Sequence, residues 1–364
     1  MSNNIYIALY ISSHGFGHMT RCLAVVDYIL KNSNYNIYIA CDKNQNDFAR
    51  IYLKDYSSRI IYKDILTDIG LINKKNSLEV DSSLLEEQLS SFINSWDDTL
   101  MKEYNMLKSL EIKCIISDIS PIGCLLGHKL GVENILISNF TWVDQYKFLN
   151  INENIISKFR LAYSYVTKFI KYDLALPTSS IITKNIDEVS FICRPIYKER
   201  VEFIRKKYGK SIFITCGKSA TLNKICIKNF RGTIFTTSGV DIICDDKCNV
   251  IKLPIDILDT QNYIAACDLV IAKAGWGTIA EAIVAHTNLV LIERPSAKED
   301  SFNIEEIKKN KLGISIKEED LFNLDIEQIE NQLKESIDYK RLNTYKNDVK
   351  RVVNIILNAD KNKK

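Results

Sequence analysis

The sequence predicts an α/β protein built from two domains, each with a parallel sheet, facing one another across a cleft. Three observations carry this reading. Short apolar runs alternate with amphipathic stretches, the order of strand and helix that a parallel sheet covered on both faces requires. The rhythm pauses at "FICRPIYKER" and then restarts. The chain's 364 residues exceed one ordinary core and suit two domains of about 150–200 residues each.

In the first half, IYIALYI (5–11) reads as a buried strand. From Met19 the apolar positions Met19, Cys22, Leu23, Val26, Ile29 and Leu30 fall three and four apart, one face of a helix. NIYIAC (36–41) is a second strand, and 78–110 is helical in pattern. CIISD (114–118), a helix over 121–131 and NILIS (134–138) follow. After Cys193-Arg194-Pro195, the predicted boundary, the strand candidates are SIFITC (211–216), GTIFTT (232–237), NVIKL (249–253), DLVIA (268–272) and NLVLIE (288–293), with helical segments between most of them. The predicted domains are therefore 1–193 and 194–338. A last helix in 339–364 is open to either half, packing back on the first being one option.

Composition narrows the function. Apolar residues make up 46% and charged residues 26% of the chain, which is soluble globular composition rather than disorder. A net charge of +3 gives no general footprint for nucleic acid. The ten cysteines are scattered, with no pairs at zinc-site spacing, so reduced and mostly buried thiols are expected. The start of the chain carries no basic, apolar leader, and no apolar run reaches the roughly 20 residues that span a bilayer. A cytoplasmic location is expected.

Open parallel sheets bind ligands beyond the carboxyl ends of their strands, so the loops at those ends deserve the closest reading. The first is "SSHGFGHMTR", which holds two of the four histidines, His14 and His18. Its glycines, among them Gly17, let a backbone approach a ligand, and a histidine there can act as general base. The bland alternative is that both histidines cap turns. The loop is no dinucleotide fingerprint, since the third glycine and a convincing acidic partner are missing. Asp118 ends CIISD on the same sheet edge; it either supports an imidazole or, with Ser120, caps the helix at Pro121.

In the second half, "DLVIAKAGWGTIAEAIVAH" (268–286) repeats the arrangement of strand, Gly275-Trp276-Gly277-Thr278 and helix. The helix amino end offers free N–H groups to a diphosphate, with Glu281 in reach of a ribose. Thr278 and Glu281 also fit a ligand-free capping box. Glu299 and Asp300 follow the next strand and suit sugar hydroxyls or the start of a helix. The Gly217-Lys218-Ser219 loop is a candidate for phosphate contacts, although it lacks the spacing of a nucleotide-hydrolysing loop.

Taken together, "HGFGHMTR", "SDISP…NFTW" and the 268–300 segment resemble the two-domain glycosyltransferases of the GT-B fold, in particular the family-28, MurG-like group. They are most similar to the glycosyltransferase-like domain attached to plant L-arabinokinases. The first loop is also similar to the G-x-G-H-x-x-R-x-L motif of a UDP-sugar hydrolase of pseudaminic acid synthesis. The resemblance implies two Rossmann-like domains, the first on the acceptor side and the second binding a nucleotide sugar. It implies His18 as base with Asp118 as partner, and His14 and Asn139 lining the cleft. Gly17, Gly217, Lys218, Ser219, Gly275, Trp276, Gly277, Thr278 and Glu281 become donor contacts. Glu299 and Asp300 approach the sugar, and the backbone at Ile255 reads a uracil. Two departures stand out: a single glycine at Cys216-Gly217-Lys218, and Lys273-Ala274 in place of an Arg-Ser pair.

The function implied is inverting, metal-independent transfer from a nucleotide-diphosphate sugar, UDP-linked, to an unidentified acceptor hydroxyl on a small molecule or a lipid carrier. No cofactor is implied beyond that co-substrate, and no Asp-x-Asp triplet for a metal occurs in the chain. Hydrolysis of the same donor, with water as acceptor, and binding without turnover are the alternatives. "KFRLAYSYVTKFIKY" (158–172) places Lys158, Arg160, Lys168 and Lys171 among five aromatics. It reads either as a peripheral contact with an anionic membrane or as a core helix with snorkelling lysines.

Overall fold

The computed structural model describes residues 4–75, 79–216, 222–244 and 248–359. The chain forms two compact units, one of residues 1–72, 81–190 and 348–364, the other of residues 73–80 and 191–347. The chain thus passes between units at Ser190–Phe191, just upstream of Cys193.

The first unit holds strands β1 (Ile5–Ile11), β2 (Asn36–Cys41), β3 (Ile60–Asp64), β4 (Glu111–Asp118), β5 (Glu133–Ser138), β6 (Lys168–Tyr172) and β7 (Ile186–Val189). They form one sheet in the order β3-β2-β1-β4-β5-β6-β7, parallel throughout. β1 lies inside this sheet, which explains a strand with no polar face: Ile7 to Ile11 are fully buried. The strand order reverses between β1 and β4, so ligand chemistry is expected at their carboxyl ends.

Local signals set the helices of this unit. Ser120 caps the helix Pro121–Leu130 by accepting from Gly123 N–H, with Pro121 in the first turn and Gly131 at φ 66° ending it. The capping role considered for Asp118 thus falls to Ser120 alone. The stretch 78–110, predicted as one helix, is two, Ser82–Asn94 and Trp96–Leu107; Ser95 breaks the run by turning its hydroxyl onto Phe92 O.

The segment 158–172 differs from both readings of it. The helix Glu153–Ser164 ends early and the rest becomes β6 in the sheet interior. Val166, Phe169, Ile170 and Tyr172 are buried. Arg160 pairs with Glu153, Lys168 with Asp187 and Lys171 with Glu188. Three of the four cations of the stretch are thus paired with carboxylates outside it.

The second unit holds β8 (Ser211–Thr215), β9 (Leu222–Lys228), β10 (Gly232–Thr236), β11 (Val240–Ile243), β12 (Cys248–Lys252), β13 (Leu269–Lys273), β14 (Asn288–Ile292), β15 (Ile314–Ile316) and β16 (Leu324–Asp325). Its main sheet runs β12-β10-β8-β13-β14-β15, again parallel, with the reversal between β8 and β13. β11-β9-β16 make a small second sheet. β9 occupies a stretch outside the strands expected from the sequence. Its alternation of exposed Lys224 and Lys228 with buried Ile225 and Ile227 is a strand period.

The predicted last helix is also split. Tyr339–Leu342 stays with the second unit, whereas Val349–Leu357 belongs to the first and packs on the helix Gly15–Asn32 through Val352, Val353 and Ile356. Between them, Asn347 brackets Cys193 N–H and C=O, and Asp348 accepts from Ser190 N–H.

The helix Pro121–Leu130 lies close against the first sheet because Gly123 has no side chain. A Cβ there would come 2.7 Å from the Tyr10 Cβ and overlap the Ser117 hydroxyl. Gly123→Ala is expected to destabilise the protein by about 1–3 kcal/mol, read as a lower denaturant midpoint; an unchanged midpoint would show that the helix can move outward.

Candidate active site

The first loop begins where β1 ends. Ile11 stands opposite Asp118 in register and Ser12 N–H donates to Asp118 O, so the carboxylate is fixed beside the loop by the sheet itself. Gly15 at φ 64° turns the chain into the helix Gly15–Asn32, with His14 at the N-cap. His18 therefore lies in the first turn of the helix and not in the loop. Neither histidine caps the turn: His14 makes no side-chain capping bond, and His18 faces inward.

His18 Nδ1 lies 3.1 Å from Asp118 Oδ1. Arg21 grips the same carboxylate with Nε 2.7 Å from Oδ2 and Nη2 on Oδ1, while its Nη1 donates to Asn139 Oδ1 at 3.0 Å. The Cys22 thiol donates to Asp118 Oδ2 at 3.1 Å. Burial alone would push the Asp118 carboxyl up; Arg21, and after it His18, overcome this and hold it well below the usual carboxylate range. Arg21 is held as a cation by the same pairing, against a burial that works the other way. Asn139, expected to line a cleft, is fully buried; it supports Arg21 from behind.

A second buried acid shapes the loop. Asp68 accepts from Ser13 N–H and from the Trp142 indole, both at 2.8 Å. The chain around it closes on the loop: Thr67 and Ser13 hydroxyls meet at 2.9 Å, and Ser120 donates to Thr67 O. A Cβ at Gly70 would overlap the His14 ring, so only glycine leaves that ring room. His14 stacks edge-on against Trp142, 5.7 Å between centroids. Burial pushes Asp68 up to about 7.

In the second unit, β13 leads through Lys273 and Ala274 to Gly275, the N-cap of the helix Trp276–Ala285. Gly275, Gly277 and Thr278 are at least half-buried in the first turn, and Lys273 runs beside Gly275. The capping box considered for Thr278 and Glu281 is absent, because the helix starts earlier and Thr278 already lies inside it. The Trp276 indole is buried and packs against Phe191. Glu281 accepts from Arg194 Nη2 at 2.9 Å, and Arg194 also donates to Thr260 and Leu258 O. Asp300 is buried with Oδ2 3.8 Å from Arg294 Nη1, and Arg294 also reaches Asn73. Glu299 is half-buried in the same first turn, and Ile255 is exposed. Gly217, Lys218 and Ser219 lie outside the described residues.

Three arginines were missed in the sequence. Arg21 carried the clearest signal, a cation three residues after His18 on a helix face otherwise apolar. Arg194 sits in the predicted linker and Arg294 at a strand end, where neither stood out.

With this geometry in view, residues 201–356 match the family model described as glycosyltransferase family 28 C-terminal domain. The chain is thus similar in its second half to family-28 glycosyltransferases and has the GT-B fold. The chain is 24% identical over 332 residues to an L-arabinokinase of Arabidopsis thaliana, covering 85% of this chain but only 30% of that protein. It is 26% identical over 304 residues to an uncharacterized glycosyltransferase of Methanosarcina acetivorans, covering 76% of each. The solved structure of the spinosyn forosaminyltransferase SpnP superposes with a TM-score of 0.64 at 12% identity, covering 99% of both chains. At that identity the likeness shows a shared GT-B fold. Among the described residues no helix is long and apolar enough to cross a membrane.

Asp68 makes stability depend on pH in an unusual direction. Its folded value of about 7 lies above the ordinary 3.8, so between about pH 4 and pH 7 the folded state holds a proton that the unfolded state has lost. Its contribution therefore falls as pH rises through that window, by up to about 1.4 kcal/mol per pH unit. The difference in unfolding free energy between Asp68→Asn and the parent protein is expected to grow in the variant's favour across this range; a flat difference would refute the assignment.

Proposed function

We propose that this protein is an inverting glycosyltransferase that moves a sugar from a nucleoside-diphosphate donor, UDP-linked, to an acceptor hydroxyl. The observation that supports this best is the pairing of His18 Nδ1 with Asp118 at the switch point of the first sheet. With Nδ1 turned to the carboxylate, Nε2 is the nitrogen left to take a proton.

In this reading the acceptor O–H loses its proton to His18 Nε2 while its oxygen bonds to the anomeric carbon. The bond from that carbon to the diphosphate oxygen breaks, and the nucleoside diphosphate leaves with the electron pair. Attack opposite the leaving group inverts the anomeric centre. Asp118 orients the ring and stabilises the imidazolium. The second unit supplies the donor contacts: the N–H groups at Gly275 and Gly277 for the diphosphate, Glu281 for the ribose, Glu299 and Asp300 for sugar hydroxyls. The helix end stabilises the departing charge, so turnover is expected to survive chelation of divalent metal.

Thermal-shift screening of nucleoside diphosphates and their sugars, followed by turnover of the best donor, tests the proposal. A UDP-linked sugar is expected to raise the melting temperature most, and His18→Ala to lower turnover by about 10²–10⁴ with donor binding retained. Glu281→Gln is expected to weaken donor binding on the order of tenfold. A preference for nicotinamide dinucleotides, or full turnover in His18→Ala, would overturn it.

A further inference from the structure

Arg21 has no part in the reaction as written, yet its guanidinium lies closer to the His18 ring than Asp118 does. Nη2 is 2.9 Å from Nδ1, against 3.1 Å from Nδ1 to Asp118 Oδ1. We propose that Arg21 is a positioning residue that keeps His18 neutral, with its proton on Nδ1 and none on Nε2. The inference rests on reading His18 as the base.

Geometry makes the first part of the case. Arg21 follows His18 by three residues on one helix, so both side chains leave the same face. Its planar fork spans both oxygens of Asp118 at the end of β4 and the amide oxygen of Asn139 after β5. The guanidinium also lies over the Tyr172 ring of β6, 5.5 Å from the centroid. A side chain held from three neighbouring strand ends fixes the carboxylate's plane, and with it the direction from which the imidazole is met.

Charge makes the second part. Guanidinium only donates, so Nδ1 stands between a donor and an acceptor that ask for opposite tautomers. An unprotonated Nδ1 would set its lone pair against a carboxylate oxygen in a buried site, whereas Nδ1–H gives that oxygen a donor. Protonating the second nitrogen as well would place two cations 2.9 Å apart with one carboxylate between them, where low dielectric magnifies repulsion. Three further side chains lie near the ring or its carboxylate partner. His14 is 6.5 Å away between centroids, Phe140 is apolar at 6.1 Å, and the Cys22 thiol is spent on Asp118. Asp118 alone would make the ring basic enough to carry a proton at rest. Paired with Arg21 it orients the ring without giving it that charge.

Imidazole nitrogen NMR on the full chain with ¹⁵N-labelled histidine tests this without any assay of activity. His18 resonances, assigned by their loss in His18→Asn, are expected to show Nδ1 protonated and Nε2 bare near neutral pH. The reverse tautomer, or a ring doubly protonated there, would overturn the proposal. In Arg21→Gln the ring's titration, and with it the acid limb of kcat/KM, is expected to move to higher pH by about one unit or more, with donor KM unchanged. Arg21→Lys keeps the charge and should restore the parent's titration in large part. A folded Arg21→Gln whose titration stays in place would also overturn it. Should that variant not fold, the tautomer of the parent protein decides alone. Should the protein transfer no sugar, the tautomer and titration still stand or fall independently.

Discussion

An ionised carboxylate buried at the end of a central strand is the constraint on which the first unit depends. Asp118 is fixed by β-sheet register, one strand from the loop that carries His18. A buried charge is tolerable only when donors surround it. The structure supplies them from Arg21, His18 and Cys22, all in the opening turns of one helix. The helix must therefore begin where it does, at the left-handed Gly15, because a later start would turn these three side chains away. The requirement of one charge thus dictates the loop, the helix phase and the side chain behind it, Asn139.

Much of this was legible in the chain. The interior strands β1, β2, β8 and β13 showed as apolar runs, since a strand covered on both faces has no polar side to confuse its pattern. The His18–Asp118 pairing was legible because Asp118 ends β4 and His18 follows the end of the neighbouring strand β1, where parallel topology leaves little choice. Three other strands were harder to read. β6, β9 and β11 interleave lysines and polar residues with apolar ones, and β6 became visible only once Asp187 and Glu188 were seen to meet its lysines. Helix starts were misjudged for a local reason, as both candidate loops enter their helices through glycine without a side-chain cap.

The arginines were illegible for a physical reason. Periodicity reports which face of a helix is apolar, and a buried arginine violates that rule unless its partner is known. The partner of Arg21 lies 97 residues away in sequence and that of Arg194 lies 87 away. Only the fold brings them together. Asp68 escaped in the same way, since nothing in Thr67-Asp68-Ile69-Gly70 announces that its acceptors meet the backbone of Ser13 and an indole from Trp142.

The two units solve a common problem alike. Asp118, Glu281 and Asp300 each lie beside a buried arginine, namely Arg21, Arg194 and Arg294. At Asp118 and Glu281 the guanidinium bonds the carboxylate and helps to set its orientation, leaving other lone pairs directed elsewhere. That arrangement suits an acid that must present an acceptor to a ring or a hydroxyl and keep it aimed. Asp68 shows the contrast. It accepts from backbone and indole N–H groups, and burial raises its proton affinity in spite of them. Asp118 is thus held by a buried cation, whereas Asp68 is held by neutral donors.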